Sequence, residues 1–196
     1  MDQVREAVKI LQHDGLVVYP TDTIYGLGAD AFSEEAILRV FEAKQRPLGN
    51  PISIAVSDRE MIHGVARVDR ATEILIDRLL PGPVTLVLPA KKTVPGLLTG
   101  GTRMIGIRYP CHPVALELIS CLDSPITATS ANISGAKDPV TPDECNVPYD
   151  FLLDGGRLSG TPSTVVDTVS RRVIRAGAGI DHVLALLSEL DEGTSC

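Results

Sequence analysis

Residues 16–51 carry the feature that most constrains how this chain can fold. An apolar strand, LVVYP, runs into a polar turn and a glycine pair, and these are followed by a helix with a basic exit. Pro20 has no N–H and cannot continue a ladder, so the strand is predicted to end there and residues 21–30 to form a loop. Gly26 and Gly28 permit positive φ and close approach of a ligand to the backbone. A strand followed by a glycine-rich loop and the start of a helix can form a binding site for an anion.

The helix after this loop is predicted to begin after Ser33, a good N-cap, with two glutamates in its first turn. Its apolar spacing places Lys44 and Arg46 at the C-terminal end. Each feature also has an ordinary structural explanation. Cations in a last turn complement the helix dipole, and a Thr-Asp-Thr turn at residues 21–23 can hydrogen-bond to itself. The density of these features in one short segment favours a ligand site.

The remainder of the chain alternates short apolar runs with helical patterns, which predicts a single α/β domain over residues 1–196. Further strands are predicted at residues 52–56, 84–89, 104–109, 126–129, 151–154, 164–169 and 172–175, and further helices at 4–11, 58–66, 69–80, 112–122 and 181–190. Consecutive short strands late in the chain imply antiparallel pairing, so we expect a twisted mixed sheet, parallel and antiparallel, flanked by helices. Residues 138–148 contain three prolines and no period, which predicts a long surface connection that could move as a lid.

Composition narrows the classes of function. The net charge of −7 argues against a protein whose whole surface binds nucleic acid. Lys44, Arg46, Arg108 and Arg175 nevertheless recur at the ends of predicted elements, as expected if they converge on a small polyanion in a cationic concave site; scattered over the surface, they would only aid solubility. No apolar run approaches about 18 residues and no secretory signal is apparent, so we expect no membrane span and a cytoplasmic location.

The cysteines do not point to a disulfide framework or a zinc site. Cys111, Cys121, Cys145 and Cys196 form no C-x-x-C pair and have no histidine at zinc-ligand spacing. His112 is the neighbour of Cys111, but adjacent residues rarely face each other, so we interpret His112 as the start of a helix. The four cysteines are predicted to be free thiols.

Four segments could build the polyanion site: the Thr21 to Thr23 turn, the basic pair Lys44 and Arg46, the hydroxyl-rich loop at residues 130–134, and Arg175 ahead of its glycines. No G-x-x-x-x-G-K-[ST] motif is present, which argues against a P-loop nucleotide hydrolase. GLGADA does fit G-x-G-x-x-A, as in dinucleotide-dependent oxidoreductases. Five residues separate the end of the strand from the first glycine, however, whereas that fingerprint places the glycine in the tight turn itself.

These motifs resemble the YrdC domain, the family of threonylcarbamoyl-AMP synthases. The resemblance is carried by PTDTIYGLGADA, FEAKQRPLGNPISI, the IRYP strand end, TATSANISG and the closing RAG, in family order over roughly residues 4–190. It implies a nucleotidyltransferase that converts ATP, L-threonine and bicarbonate into L-threonylcarbamoyl-AMP and pyrophosphate, the activated intermediate for modifying a tRNA adenosine. The reacting parties are anionic, so catalysis should depend on positioning and charge stabilisation.

The resemblance also implies a role for each candidate residue. Thr21 would contact threonine, and Arg108 would hold its carboxylate with a guanidinium fork. The nucleotide would be bound by Lys44, Arg46, Ser130, Asn132, Ser163 and Arg175, with Lys44 and Arg46 on the phosphates as the catalytic pair. Mg²⁺ is expected through the ATP phosphates, because it keeps several waters and needs few protein ligands.

Further expectations come from the same resemblance. A downstream tRNA threonylcarbamoyl transferase would use the product. Family members have been regarded as RNA-binding, so a module that binds double-stranded RNA or tRNA without synthase activity is the alternative hypothesis. Longer members carry an additional C-terminal domain, which we do not expect in this chain. Where some members have a histidine after the basic motif, this chain has Ala55, so no contact from that histidine is expected.

Overall fold

The first strand lies inside a four-stranded sheet. The computed structural model describes residues 2–192, and in it β1 (Val17–Tyr19) pairs antiparallel with β2 (Gly26–Gly28) and parallel with β8 (Phe151–Leu152). β7 (Thr129–Ser130) joins the far side of β2, which gives the order β7-β2-β1-β8. The apolar strand predicted from LVVYP is therefore confirmed, with its three core residues buried between neighbours on both sides.

A second, six-stranded sheet contains the longer strands. Its members are β3 (Ile54–Ala55), β4 (Val84–Pro89), β5 (Met104–Arg108), β6 (Ile126–Thr127), β9 (Thr164–Asp167) and β10 (Arg172–Arg175), in the order β10-β9-β4-β5-β3-β6. β4 is antiparallel to β5 but parallel to β9, and β3 is parallel to β5. The predicted mixed α/β fold is thus confirmed, with its strands divided between two sheets rather than gathered in one.

Seven helices accompany the sheets within residues 2–192, and three of them begin at a side-chain cap. They are α1 (Asp2–Leu11), α2 (Glu34–Ala43), α3 (Arg59–Val65), α4 (Arg70–Leu79), α5 (Gly96–Thr99), α6 (Pro113–Leu122) and α7 (Ile180–Glu192). The side chains of Ser33, Asp58 and Asp69 each accept a backbone N–H in the first turn of α2, α3 and α4. The Ser33 cap therefore fixes where α2 starts. The length of the helix then fixes the position of Lys44 at its C-terminal end.

Two apolar clusters hold these layers together. The smaller cluster joins α1 and α6 to β1, with Val4, Leu11 and Leu118 in its interior, and the larger one fills the space between both sheets and the remaining helices. Within residues 2–192, no helix has both the length and the apolar sequence needed to cross a membrane.

The prediction that residues 21–30 are entirely loop is wrong, because Gly26 and Gly28 belong to β2 and neither has positive φ. A Cβ on Gly26 would lie 2.9 Å from Cζ of Tyr19, and one on Gly28 would lie 3.1 Å from Cε1 of the same ring. The glycines therefore make room for Tyr19. They do not form the phosphate-binding turn of a dinucleotide fold.

The connection at residues 138–148 packs against the body of the protein. It contains a 3-10 turn at Pro142–Glu144, and Val140 and Val147 are buried. The N–H of Tyr25 donates to the carbonyl of Pro139 at 3.0 Å. Mobility of this segment stays a prediction.

Candidate active site

A pocket of about 230 Å³ opens between the two sheets. Its walls come from the turn after β1, from β2 and β7 of the first sheet, and from β4, β5 and β9 of the second. Among the candidates predicted from sequence, six line it: Thr21, Arg46, Arg108, Ser130, Ser163 and Arg175. The other two, Lys44 and Asn132, are buried behind its wall. Segments that lie far apart in sequence therefore converge as expected, whereas the start of α2 does not take part.

The turn at residues 21–23 hydrogen-bonds to itself. The Thr21 hydroxyl donates to the carbonyl of Ile24 at 2.7 Å and accepts the N–H of Thr23 at 3.2 Å, and the two threonine hydroxyls lie 3.0 Å apart. The ordinary structural explanation of this turn is thus correct for the Thr21 hydroxyl. The turn nevertheless presents both threonine side chains to the pocket.

Arg108 ends β5 with its guanidinium buried under the pocket. Nη1 donates to the carbonyls of Gly82 and Val84, and Nη2 donates to Oδ1 of Asp22 at 2.5 Å. Burial lowers the pKa of Arg108, and the Asp22 carboxylate opposes that shift. A guanidinium has five N–H donors, so one on Nε and one on Nη2 have no partner within residues 2–192. These two N–H groups can donate together to the two oxygens of one carboxylate.

Lys44 caps α2 and its side chain is 1% exposed. Its ammonium donates to the carbonyl of Ser130, to the carbonyl of Asn132 at 2.6 Å and to Oδ1 of Asn132 at 3.2 Å. Burial lowers its pKa to about 8, Arg46 adds to that effect and Asp138 opposes it. Because an ammonium has three N–H donors, Lys44 can contact a phosphate only by exchanging one of these bonds. In this conformation it holds the segment 130–132 in place.

Ser130 lies at the end of a strand, and Asn132 belongs to a hydrogen-bond network behind that strand. Ser130 belongs to β7 and pairs with Gly26, so its assignment to a loop is wrong. Its hydroxyl donates to Oδ1 of Asn132 at 2.6 Å, and Nδ2 of Asn132 donates to the carbonyl of Ala136 at 2.7 Å and to Asp138 at 3.3 Å. Asn132 therefore ties Ser130, Lys44 and the start of the 138–148 connection together.

The other cations of the pocket are held by carbonyl oxygens. Arg46 is half-buried and donates to the carbonyls of Asn50 at 3.3 Å and Pro51 at 2.8 Å. Arg175 is exposed and donates from Nη2 to the carbonyl of Ser163 at 2.9 Å. Neither forms an ion pair with a carboxylate in the part of the chain that the structure describes. Their charge stays available to an anion.

Three residues of this site received no role from sequence reasoning. Asp22 pairs with Arg108, Asp138 lines the pocket beside Asn132, and the hydroxyl of Thr85 lies 2.8 Å from that of Ser163. Asp22 had a local signal, since it lies between two threonines in a turn already marked as polar. Thr85 had none, because only the pairing of β4 with β9 brings it to the pocket.

The thiols and His112 lie as predicted where the structure describes them. Cys111, Cys121 and Cys145 are free, and Cys196 lies outside the described residues. Burial, with a contribution from Glu144, raises the pKa of Cys145 to about 11, which disfavours a thiolate. His112 is the N-cap of α6.

Comparison with known proteins identifies the family of this chain. The Sua5_yciO_yrdC family model, described as "Telomere recombination", matches residues 9–177. The chain belongs to the Sua5/YciO/YrdC family. The resemblance inferred from its motifs is confirmed.

Relatives within the Sua5/YciO/YrdC family share most of this chain. The threonylcarbamoyl-AMP synthase of Pyrococcus abyssi is 41% identical over 173 residues, covering 84% of this chain and 50% of that protein. The Escherichia coli O1:K1 threonylcarbamoyl-AMP synthase is 32% identical over 186 residues, which cover 90% of this chain and 96% of that protein. The crystal structure of P. abyssi Sua5 complexed with L-threonine superposes with a TM-score of 0.86 at 37% identity, covering 92% of this chain and 56% of that one. The chain thus spans about half the length of the archaeal relative.

Proposed function

We propose that this chain is a threonylcarbamoyl-AMP synthase, which converts ATP, L-threonine and bicarbonate into L-threonylcarbamoyl-AMP and pyrophosphate. The observation that carries the proposal is that one pocket holds two kinds of cation, and we assign each kind to one end of it. One end offers the free guanidinium edge of Arg108, which suits a carboxylate. The other offers Arg46 and Arg175, which have no carboxylate partner among the described residues and so suit phosphates. Relatives that bear this name, one of them in a structure with L-threonine, support the proposal.

In this reaction bicarbonate takes up a proton and releases water to give carbon dioxide, which the threonine amine captures as a carbamate with loss of a proton. A carbamate oxygen then attacks the α-phosphorus of ATP and expels pyrophosphate. Arg108 would hold the amino-acid carboxylate beside Thr21. Arg46 would offset phosphate charge, with Ser163 and Arg175 completing the nucleotide site. No protein nucleophile is required, so the site contributes mainly orientation and charge stabilisation.

The buried pair behind the pocket would support the nucleotide indirectly. Lys44 holds the segment that carries Ser130 and Asn132, and its charge lies beneath the pocket wall. We assign it to phosphate binding through that charge, with a direct contact only after one hydrogen bond is exchanged. Ser130 can turn its hydroxyl to the nucleotide without leaving β7.

Magnesium would enter this site on the ATP phosphates. Within residues 2–192, no group of three or more His, Cys, Asp or Glu side chains could hold a metal ion. Asp138 lines the pocket and could supply one oxygen, while phosphates and water supply the others. When bound, the ion would neutralise charge on the leaving pyrophosphate.

We further propose that the product serves tRNA modification through a downstream tRNA threonylcarbamoyl transferase, and that the reaction takes place in the cytoplasm. Direct binding of tRNA or double-stranded RNA is a separate proposal. It is distinguished by titrating the protein with AMP and with RNA of increasing length, because affinity that grows with length requires a surface larger than the pocket.

The decisive experiment incubates the protein with ATP, Mg²⁺, labelled bicarbonate and each amino acid in turn, and follows pyrophosphate together with an acid-labile labelled adenylate. L-Threonine is expected to give both products in equal amounts. Pyrophosphate without labelled adenylate, or no reaction with any amino acid, contradicts the proposal.

A further inference from the structure

Asp22 and Arg108 form a buried ion pair beneath the pocket. Oδ1 of Asp22 lies 2.5 Å from Nη2 of Arg108, and the side chains are 14% and 6% exposed. A pair buried this deeply adds little net stability, because withdrawing both charges from water offsets their attraction. Stability alone therefore does not account for the pair, and its geometry needs another explanation.

The guanidinium of Arg108 is fixed at three points. The carbonyls of Gly82 and Val84 hold Nη1, and Asp22 holds Nη2. The carbonyls anchor one corner of the planar group, and Asp22 sets how the plane is turned about that corner. This leaves one N–H on Nε and one on Nη2, neighbouring donors that a carboxylate engages in parallel.

The second oxygen of Asp22 is left without a partner. Oδ2 of Asp22 and Nδ1 of His112 are the two buried side-chain polar atoms in residues 2–192 that lack a hydrogen bond. An unsatisfied buried acceptor costs about 1 to 3 kcal/mol. The carboxylate thus keeps its bond to Arg108 although its other oxygen stays unsatisfied. That is expected of a side chain whose role is to hold Arg108.

Asp22 also connects Arg108 to the pocket wall. It lies between Thr21 and Thr23, which both line the pocket. The hydroxyl of Ser159 donates to the carbonyls of Asp22 and Thr23, each at 3.1 Å. Displacing the Asp22 side chain would therefore change the orientation of Arg108 while this turn stays anchored.

We propose, building on the function proposed above, that Asp22 is the positioning residue for recognition of the amino-acid carboxylate. It orients Arg108 by the length and hydrogen bonding of its side chain and does not itself touch the substrate. Two conservative variants separate position from charge. Asp22→Asn keeps the length and one acceptor oxygen but removes the charge, whereas Asp22→Glu keeps the charge and pushes the carboxylate outward by one methylene.

Positioning predicts that Asp22→Glu raises the KM for L-threonine about tenfold or more, while Asp22→Asn changes it by about threefold or less. The ATP dissociation constant, measured by calorimetry without threonine, should be unchanged in both. The Nε–H signal of Arg108 in ¹⁵N NMR should keep its wild-type position in Asp22→Asn and shift in Asp22→Glu. This signal is measured without substrate, so it reports on positioning even if the wild-type protein makes no adenylate, a result that would overturn only the proposed function.

The matched control is the exposed Arg59–Asp77 pair, where Asp77→Asn and Asp77→Glu should leave both constants unchanged. A larger KM increase in Asp22→Asn than in Asp22→Glu, or equal large increases, would show that the charge acts on the substrate and overturn the proposal. A lower melting temperature with unchanged KM in both Asp22 variants would leave only a structural ion pair and overturn it as well. If either variant fails to fold, the other still decides through its KM and the Arg108 signal.

Discussion

The pocket holds its cations in two different ways. Arg108 is buried, paired with Asp22 and anchored on two carbonyls, whereas Arg46 is half-buried and contacts carbonyl oxygens. Arg175 is exposed and likewise held by a carbonyl. A small zwitterion brings little charge of its own, so its carboxylate needs a guanidinium already oriented at low dielectric. A nucleotide polyphosphate brings several charges and can bind to cations that remain partly hydrated.

Because Arg108 is buried and already oriented, substitutions at the Arg108 end should have a large effect on the kinetics of threonine and little effect on ATP binding. Arg108→Ala should lower kcat/KM for threonine by about 2 to 4 kcal/mol, while ATP binding without threonine changes little. Arg108→Lys should raise the threonine KM severalfold, because a point charge lacks the bidentate fork. Steady-state kinetics and calorimetry measure the two quantities.

Removal of Arg108 also leaves Asp22 buried without its cation, which should lower the free energy of unfolding by about 3 to 5 kcal/mol. Thermal unfolding therefore has to accompany the kinetics. Equal losses in threonine and ATP affinity in a folded variant would place Arg108 on the phosphates and remove the distinction between the two ends.

A second prediction concerns the floor of the pocket at Tyr19. Gly26→Ala adds a Cβ 2.9 Å from Cζ of Tyr19, and overpacking of this kind lowers the free energy of unfolding by about 1 to 3 kcal/mol. Denaturant unfolding measures this loss. Gly49→Ala is the control, because its added Cβ meets no atom within 4 Å. An equally stable Gly26→Ala protein would show that β2 has room to shift away from the ring.

At the phosphate end, Arg46→Ala should weaken ATP binding by about 1 to 2 kcal/mol. Removal of a buried cation would cost more, because solvent screens a half-exposed charge. Threonine binding should be unaffected. Raising the salt concentration should reduce this difference but leave the Arg108 effect nearly unchanged. Arg59→Ala, on the remote pair with Asp77, supplies the control. Unchanged ATP affinity in Arg46→Ala would show that this cation does not bind the phosphates and is only a surface charge.

The sequence predicted the elements of the fold better than their pairing. Apolar periodicity and caps located β1, β4, β5 and the described helices other than the short α5, because these signals are local. The strand at Gly26 was missed, since glycines usually interrupt strands and the compensating partner, the Tyr19 ring, lies across the ladder. The division into two sheets was missed for the same reason: it depends on pairings between residues more than a hundred positions apart.

The candidate site shows the same limit. Motif resemblance named six residues that line the pocket. It could not show that Lys44 is buried with all three of its N–H donors in use. Nor could it find Asp22 as the partner of Arg108, because a carboxylate in a polar turn is normally solvated. Charge balance between distant segments is a tertiary property, and local patterns do not encode it.

The smallest expected effect concerns the charge of Lys44, which lies behind the pocket wall. Burial lowers its pKa from 10.5 to about 8. Below about pH 8 both the folded and the unfolded chain carry this proton, so this group gives stability no dependence on pH there. Between about pH 8 and 10.5 the unfolded chain binds the proton and the folded one does not, so the contribution of Lys44 to the free energy of unfolding rises with pH.

Heteronuclear NMR of the lysine side chains, with Lys44→Met to assign the signal, measures this titration directly. A midpoint near 8 would mean that the amine becomes neutral at mildly alkaline pH, and a neutral amine has two N–H donors for the three oxygens of Ser130 and Asn132. ATP affinity should then fall above pH 8, while the Arg108 end keeps its charge. A midpoint at or above 10.5 would instead show that three acceptor oxygens outweigh burial, and that Lys44 supplies a permanent charge to the phosphate end.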